Sequence, residues 1–227
     1  MTMPIDHTGA PPLGDIAQER QRRLDARRAR GAGAVEDFLA WLRGWPDAAV
    51  VARAEDALAA AQAIDYRHPG LDTPTYLAHA TRVAQLVMRM APGTALETCA
   101  PALVHNALEI GAVTRDDLAA RLGGEVADIV VLLTVDRDRQ WDQDYKRGYY
   151  KALLEGPPAA ALVKIADKLD NIFTICVNPD AARRGRYLDE IEIHLAPLTA
   201  AVAPAMVTYL HDLVADARRT GHVALGG

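Results

Sequence analysis

From Val35 onward, apolar residues recur three and four positions apart, the period of helices that turn one face to a core. VEDFLAWLRGW (35–45) opens the pattern as a short amphipathic helix that Pro46 stops. AAVVARAEDALAAAQAI (48–64) is alanine-rich and predicts a second helix. YRHPGLDTP (66–74) is crowded with turn formers and predicts a loop. Thr73 as N-cap and Pro74 at the first helical position then start TYLAHATRVAQLVMRM, which runs to Pro92-Gly93. Thr94 and Glu97 have the spacing of a capping box, ahead of one helix through Glu109 that Gly111 stops. Thr114 and Asp117 open RDDLAARLG, which ends at Gly123-Gly124. EVADIVVLLTV is β-branched enough to form a strand, but its length and neighbours favour a helix. DQDYKRGYYKALLEG, the long apolar AAALVKIADKLDNIFTI, RYLDEIEIHLAPL and VAPAMVTYLHDLVADARR complete the series as helices. The pattern predicts an all-α fold, an irregular helical bundle, with no internal repeat and no glycine-rich phosphate loop.

The first 34 residues break this rhythm. Residues 1–14 are rich in proline and glycine and predict a disordered tail. DIAQERQRRLDARRAR (15–30) carries six arginines and few apolar residues. It reads as a solvated helix or frayed arm, with an anionic ligand or partner as the alternative. The expected organisation is a disordered or weakly ordered arm over residues 1–34 and a single all-α domain over 35–222.

Composition narrows the function. The 227 residues are 50% apolar and 24% charged, as in a soluble globular protein. A net charge of −5 argues against a general nucleic-acid surface. The two cysteines, Cys99 and Cys176, make no disulfide framework, so a reducing cytoplasm is expected. No signal peptide and no membrane-spanning run is legible.

The chemistry lies in polar groups on apolar helices. His79 is flanked by Leu77, Val83 and Leu86. In ALVHNALEI, His105 and Glu109 stand four apart and share a helix face, with Asn106 beside them. In LVKIADKLDNI, Asp167 and Asn171 repeat that spacing. A buried carboxylate without a partner costs several kcal/mol, or about that much in a shifted pKa. Taken singly, each group fits a hydrogen-bonded core residue, and Asp167 could simply pair with Lys164 or Lys168. Together, two imidazoles, a carboxylate and an amide oxygen on three helices suit one Mn²⁺, Fe²⁺, Zn²⁺ or Mg²⁺ ion.

These segments resemble a known family. YLAHATRVA, ALVHNALEIGAVTRDDLAARLGGEVADIV and ALVKIADKLDNI are similar to the three motifs of the HD superfamily of metal-dependent phosphohydrolases. The likeness is strongest to the alarmone hydrolase domain of RelA/SpoT-type proteins and small alarmone hydrolases, and covers roughly residues 50–215. It implies an HD-domain-like all-α fold for residues 35–222. It implies a divalent metal ion, Mn²⁺ foremost, on His79, His105, Asn106 and Asp167. It places Glu109 at the catalytic water, and Asn171 and Arg67 on the nucleotide, while Lys164 and Lys168 could neutralise phosphate charge. Two positions depart from the family pattern: Asn106 stands for the aspartate of the name, and Ile110 for the second acid of an E-D pair.

Three functions follow. The first is a metal-dependent phosphohydrolase of a nucleotide or related phosphate ester, the best substrate being a guanosine alarmone (ppGpp) that loses pyrophosphate. The second is a catalytically degenerate HD domain that binds a nucleotide or protein partner without hydrolysis. The third, an iron oxygenase or lyase, needs more ligands than the remaining histidines provide. The expected partner is a small-molecule nucleotide or phosphate ester, with no nucleic acid and no membrane; a homo-oligomer is left open.

Overall fold

The computed structural model describes residues 13–67 and 71–225. The predicted tail up to residue 12 and residues 68–70 of the predicted loop lie outside the described residues. The described residues are helical almost throughout and contain no strand; one isolated bridge pairs Tyr66 with Gly111. None of the described helices is long and apolar enough to cross a membrane.

The first difference from expectation is at the arginine-rich segment. Residues Ile16–Arg28 form α1, with Asp15 as N-cap accepting a hydrogen bond from the Gln18 amide. This helix is no loose arm: it packs on the bundle, with Leu24 3% and Arg23 4% exposed. Leu24 is buried, and Arg23 meets Asp170, 147 positions away in sequence. No local reading of the arginines could show that partner.

The amphipathic segments follow as predicted. They are α2 (Ala34–Leu42), which buries Phe38 and Leu42, and α3 (Ala48–Gln62), capped by Asp47. α4 spans Thr73–Met90, and its N-cap is Asp72 rather than Thr73. Asp72 keeps an extended backbone and its carboxylate accepts from the Thr75 amide, while Thr73 is already helical.

The predicted helix through Glu109 is two pieces, α5 (Ala95–Val104) and α6 (Ala107–Ile110). The Thr94–Glu97 capping box does not form, because a 3₁₀ turn over Pro92–Thr94 precedes α5 and the Thr94 hydroxyl donates to the Ala91 carbonyl instead. The ladder breaks at His105-Asn106: the His105 ring takes the Ala102 carbonyl at 2.7 Å, the one that the next helical N–H would use. Gly111 then ends α6 tightly. A Cβ there would sit 2.4 Å from the Ala107 oxygen and 2.7 Å from Ile64 Cγ2.

The Thr114–Asp117 capping box does form, on α7 (Arg115–Leu122). The β-branched run is α8 (Gly124–Leu133). Next come α9 (Gln143–Glu155), capped by Asp142, and α10 (Pro158–Thr174). α11 (Ala181–Glu190) runs through a π turn at Ile191–Leu195 into α12 (Ala196–Val202), and α13 (Val207–Thr220) closes the bundle. α10 is the axis of the fold. Thirteen of its 17 residues are buried, and α1, α4, α5, α8, α9, α12 and α13 all pack on it. Polar groups on α10 therefore face other helices rather than water.

Candidate metal centre

Three of those polar groups meet. His79 from α4, His105 from the α5–α6 break and Asp167 from α10 each bring a ligand atom within 4.8 Å of the others. His79 Nε2 lies 3.3 Å from Asp167 Oδ1, and His105 Nε2 lies 3.6 Å from the same oxygen.

The other nitrogen of each ring is already held. His105 Nδ1 faces the Ala102 carbonyl at 2.7 Å. A carbonyl only accepts, so the proton is on Nδ1 and the Nε2 lone pair points inward. That Nε2 is buried and has no hydrogen-bond partner among the described residues. Leaving such an acceptor unmet costs about 1–3 kcal/mol. His79 Nδ1 is 2.8 Å from Asp170 Oδ2, the carboxylate–histidine arrangement that orients an imidazole toward a metal. Two imidazole nitrogens, one of them orphaned, and one carboxylate oxygen fit a divalent cation.

Asp167 is fixed from both sides: Lys164 Nζ donates to Oδ2 at 3.2 Å and Asn171 Nδ2 to Oδ1 at 2.7 Å. Burial alone would push its carboxyl up, but Lys164 and His79 hold it well below the usual range.

Asp170, which the sequence reading passed over, is 1% exposed and carries the support of the site. It accepts from Arg23 Nε at 2.7 Å, from Arg82 Nε at 2.9 Å and Nη2 at 3.0 Å, and faces His79. A usable signal was present: a second carboxylate one turn after Asp167 in an apolar helix shares its face.

The remaining candidates divide. Asn106, at the helix break, and Glu109 line the cleft over the trio. Glu109 accepts from Arg137 Nε at 2.7 Å and the Val135 amide at 3.4 Å. Lys164 and Asn171 line the same cleft with their polar ends on Asp167. Lys168 also lines it, pairing with Glu190 Oε1 at 3.0 Å. Arg67 is not brought there; it is exposed and pairs with Asp65 at 3.1 Å. Ile110 is turned into the core at 7% exposure.

The cleft is cationic and aromatic. Eight arginine and lysine side chains line it against four carboxylates. Of the chain's seven tyrosines, five are there: Tyr76, Tyr145, Tyr149, Tyr150 and Tyr187. Three of them come from DYKRGYY on α9, where their clustering in sequence is a signal for the cleft.

Residues 57–203 match the HD domain family model. The chain belongs to the HD domain family. Among its relatives, the guanosine-3′,5′-bis(diphosphate) 3′-pyrophosphohydrolase of Aquifex aeolicus (strain VF5) is 30% identical over 125 residues. That stretch is 54% of this chain but 18% of the relative's own length. Among solved structures, a metazoan ortholog of SpoT, described as hydrolysing ppGpp, shares the fold with a TM-score of 0.59. It is 22% identical, and the match covers 76% of this HD chain and 97% of that one.

Proposed function

We propose that this HD domain is a divalent-metal-dependent nucleotide phosphohydrolase that releases pyrophosphate from guanosine 3′,5′-bis(diphosphate), with Mn²⁺ as its metal. The observation that carries this reading is the orphaned, buried His105 Nε2 facing His79 Nε2 and Asp167 Oδ1. Those three atoms, with the Asn106 side-chain oxygen, would hold the ion. When bound, the cation supplies a Lewis acid that polarises a phosphoryl oxygen and makes a water more acidic.

The chain's own residues do the rest. Glu109, anchored by Arg137, takes the proton of the attacking water. The water oxygen bonds to phosphorus, the bond from phosphorus to the 3′ oxygen breaks with its electron pair going to that oxygen, which takes up the proton from Glu109 as the 3′ hydroxyl, and pyrophosphate leaves. The cationic lining offsets the negative charge of the phosphates, and the tyrosine rings offer faces for the guanine base. The activity of the Aquifex aeolicus relative supports the choice of substrate.

The test is release of pyrophosphate from guanosine 3′,5′-bis(diphosphate) by the purified protein loaded with Mn²⁺. Excess EDTA stops it, and Asp167→Asn lowers kcat by about 10² or more. If neither Mn²⁺, Fe²⁺, Zn²⁺ nor Mg²⁺ supports release while calorimetry still shows nucleotide binding, the hydrolase reading falls and the binding-only domain takes its place.

A further inference from the structure

The first helix was expected to be a solvated helix or frayed arm, with an anionic ligand or partner as the alternative, and it lies outside the matched residues 57–203. Yet Arg23, Ala26 and Arg27 all line the cleft. Arg20 pairs with Asp216, Arg22 with Glu19, Arg23 with Asp170 and Glu19, and Arg28 with Asp25. Arg27 differs from these four. It is half-buried, and among the described residues no carboxylate acts on it. Burial, and then the charge of neighbouring Arg82, hold its pKa below the ordinary value of an arginine. A guanidinium kept partly out of water beside a second cation is unfavourable by itself, and an anion relieves it.

Its position fits a second phosphate of the substrate. Arg27 follows Arg23 by four residues on the same face of α1, about 6 Å along the axis. Arg23 touches Asp170, and Asp170 holds the ring of His79. Arg27 is thus one helical turn beyond the groups that support the metal ligands, along the cleft wall.

We propose that Arg27 is an anion subsite that binds the phosphate group of the nucleotide not undergoing cleavage, so that the helix preceding the HD core selects substrates phosphorylated at both ends of the ribose. This rests on the hydrolase reading above for its substrate. The planar fork of arginine suits such a group, and a charge-assisted hydrogen bond of this kind is worth about a tenfold change in binding.

The experiment compares guanosine 3′,5′-bis(diphosphate) with guanosine 3′-diphosphate, which lacks the distal group, on the Mn²⁺-loaded protein. The wild type prefers the first, and R27Q cuts that preference in kcat/KM about tenfold, through KM. R27K, which keeps the charge but loses the fork, cuts it by less. Thermal unfolding of each variant within about 2 °C of wild type shows that α1 stays docked. Calorimetry with guanosine 5′-diphosphate gives a readout independent of turnover: its binding weakens about tenfold in R27Q. If the protein hydrolyses the bis(diphosphate) but R27Q changes neither the preference nor the binding, the subsite is wrong and the hydrolase stands. If nothing is hydrolysed and R27Q still weakens the binding, the hydrolase reading falls and the subsite stands.

Discussion

His79 shows how a single side chain couples the site to protons. Burial alone would lower its pKa, but hydrogen bonds to Asp167 and Asp170 raise it to about 9. An unfolded histidine titrates near 6.5. The folded ring, held above that value, contributes stability that is fully present below about pH 6.5 and is lost as pH rises through about 9. In the metal-free protein His79 is therefore protonated at neutral pH, with Nδ1–H on Asp170 and Nε2–H toward Asp167. A cation that takes Nε2 must displace one of those protons. Titrating Mn²⁺ into the protein near pH 7 is expected to release about one proton, read by calorimetry in buffers of different ionisation enthalpy. An enthalpy independent of the buffer would mean that His79 is not a ligand. His79, His105 and Asp167 were legible in sequence because each is polar within an apolar helix, where water cannot satisfy it. Asp170 was legible only as a second carboxylate on the face of Asp167; the arginines that justify it come from α1 and α4, and nothing in its own helix announces them.

At the scale of elements, the helical period located nearly every helix, and the errors lie at their ends. Thr94 and Glu97 have the right spacing for a capping box, but the preceding 3₁₀ turn aims the Thr94 hydroxyl backward. The break between α5 and α6 was illegible for a related reason: a side chain, His105, captures a helix carbonyl, and periodicity records only which positions are apolar. That break places Asn106 in the cleft wall and leaves His105 Nε2 buried without a partner. The α1 segment was misjudged because its burial depends on a distant carboxylate and on one turn. Gly31 makes that turn with φ +72°, and a Cβ there would lie 2.4 Å from the Pro74 oxygen at the start of α4. Gly31→Ala combines a left-handed backbone, disfavoured for alanine, with a backbone clash, and is expected to destabilise the protein by about 2–4 kcal/mol. Urea unfolding measures this. A loss below about 0.5 kcal/mol, within the ordinary scatter of surface substitutions, would show that α1 does not depend on this turn.

For the whole molecule, net charge and local charge point in opposite directions. The chain carries −5 overall, a sum that hides a cleft with twice as many cations as carboxylates. Composition sums over the surface; the fold separates it. Only the packing of α1, α4, α9, α10 and α11 around one opening collects the basic groups on one side, leaving the acidic excess elsewhere. A multiply charged anion then meets an attractive field at the cleft against a repulsive background, and field lines focused between low-dielectric walls raise its encounter rate. Salt weakens that field, because the screening length falls from about 30 Å at 0.01 M to about 8 Å at 0.15 M. Raising ionic strength across this range is expected to lower kcat/KM for guanosine 3′,5′-bis(diphosphate) about tenfold, while kcat at saturation changes little, since chemistry at the buried trio is shielded from mobile ions. Steady-state kinetics at fixed pH and fixed free Mn²⁺ reads both quantities. A kcat/KM that stays flat would mean that the lysines and arginines of the cleft are neutralised by their own carboxylates before any substrate arrives, and that recognition is left to the aromatic rings.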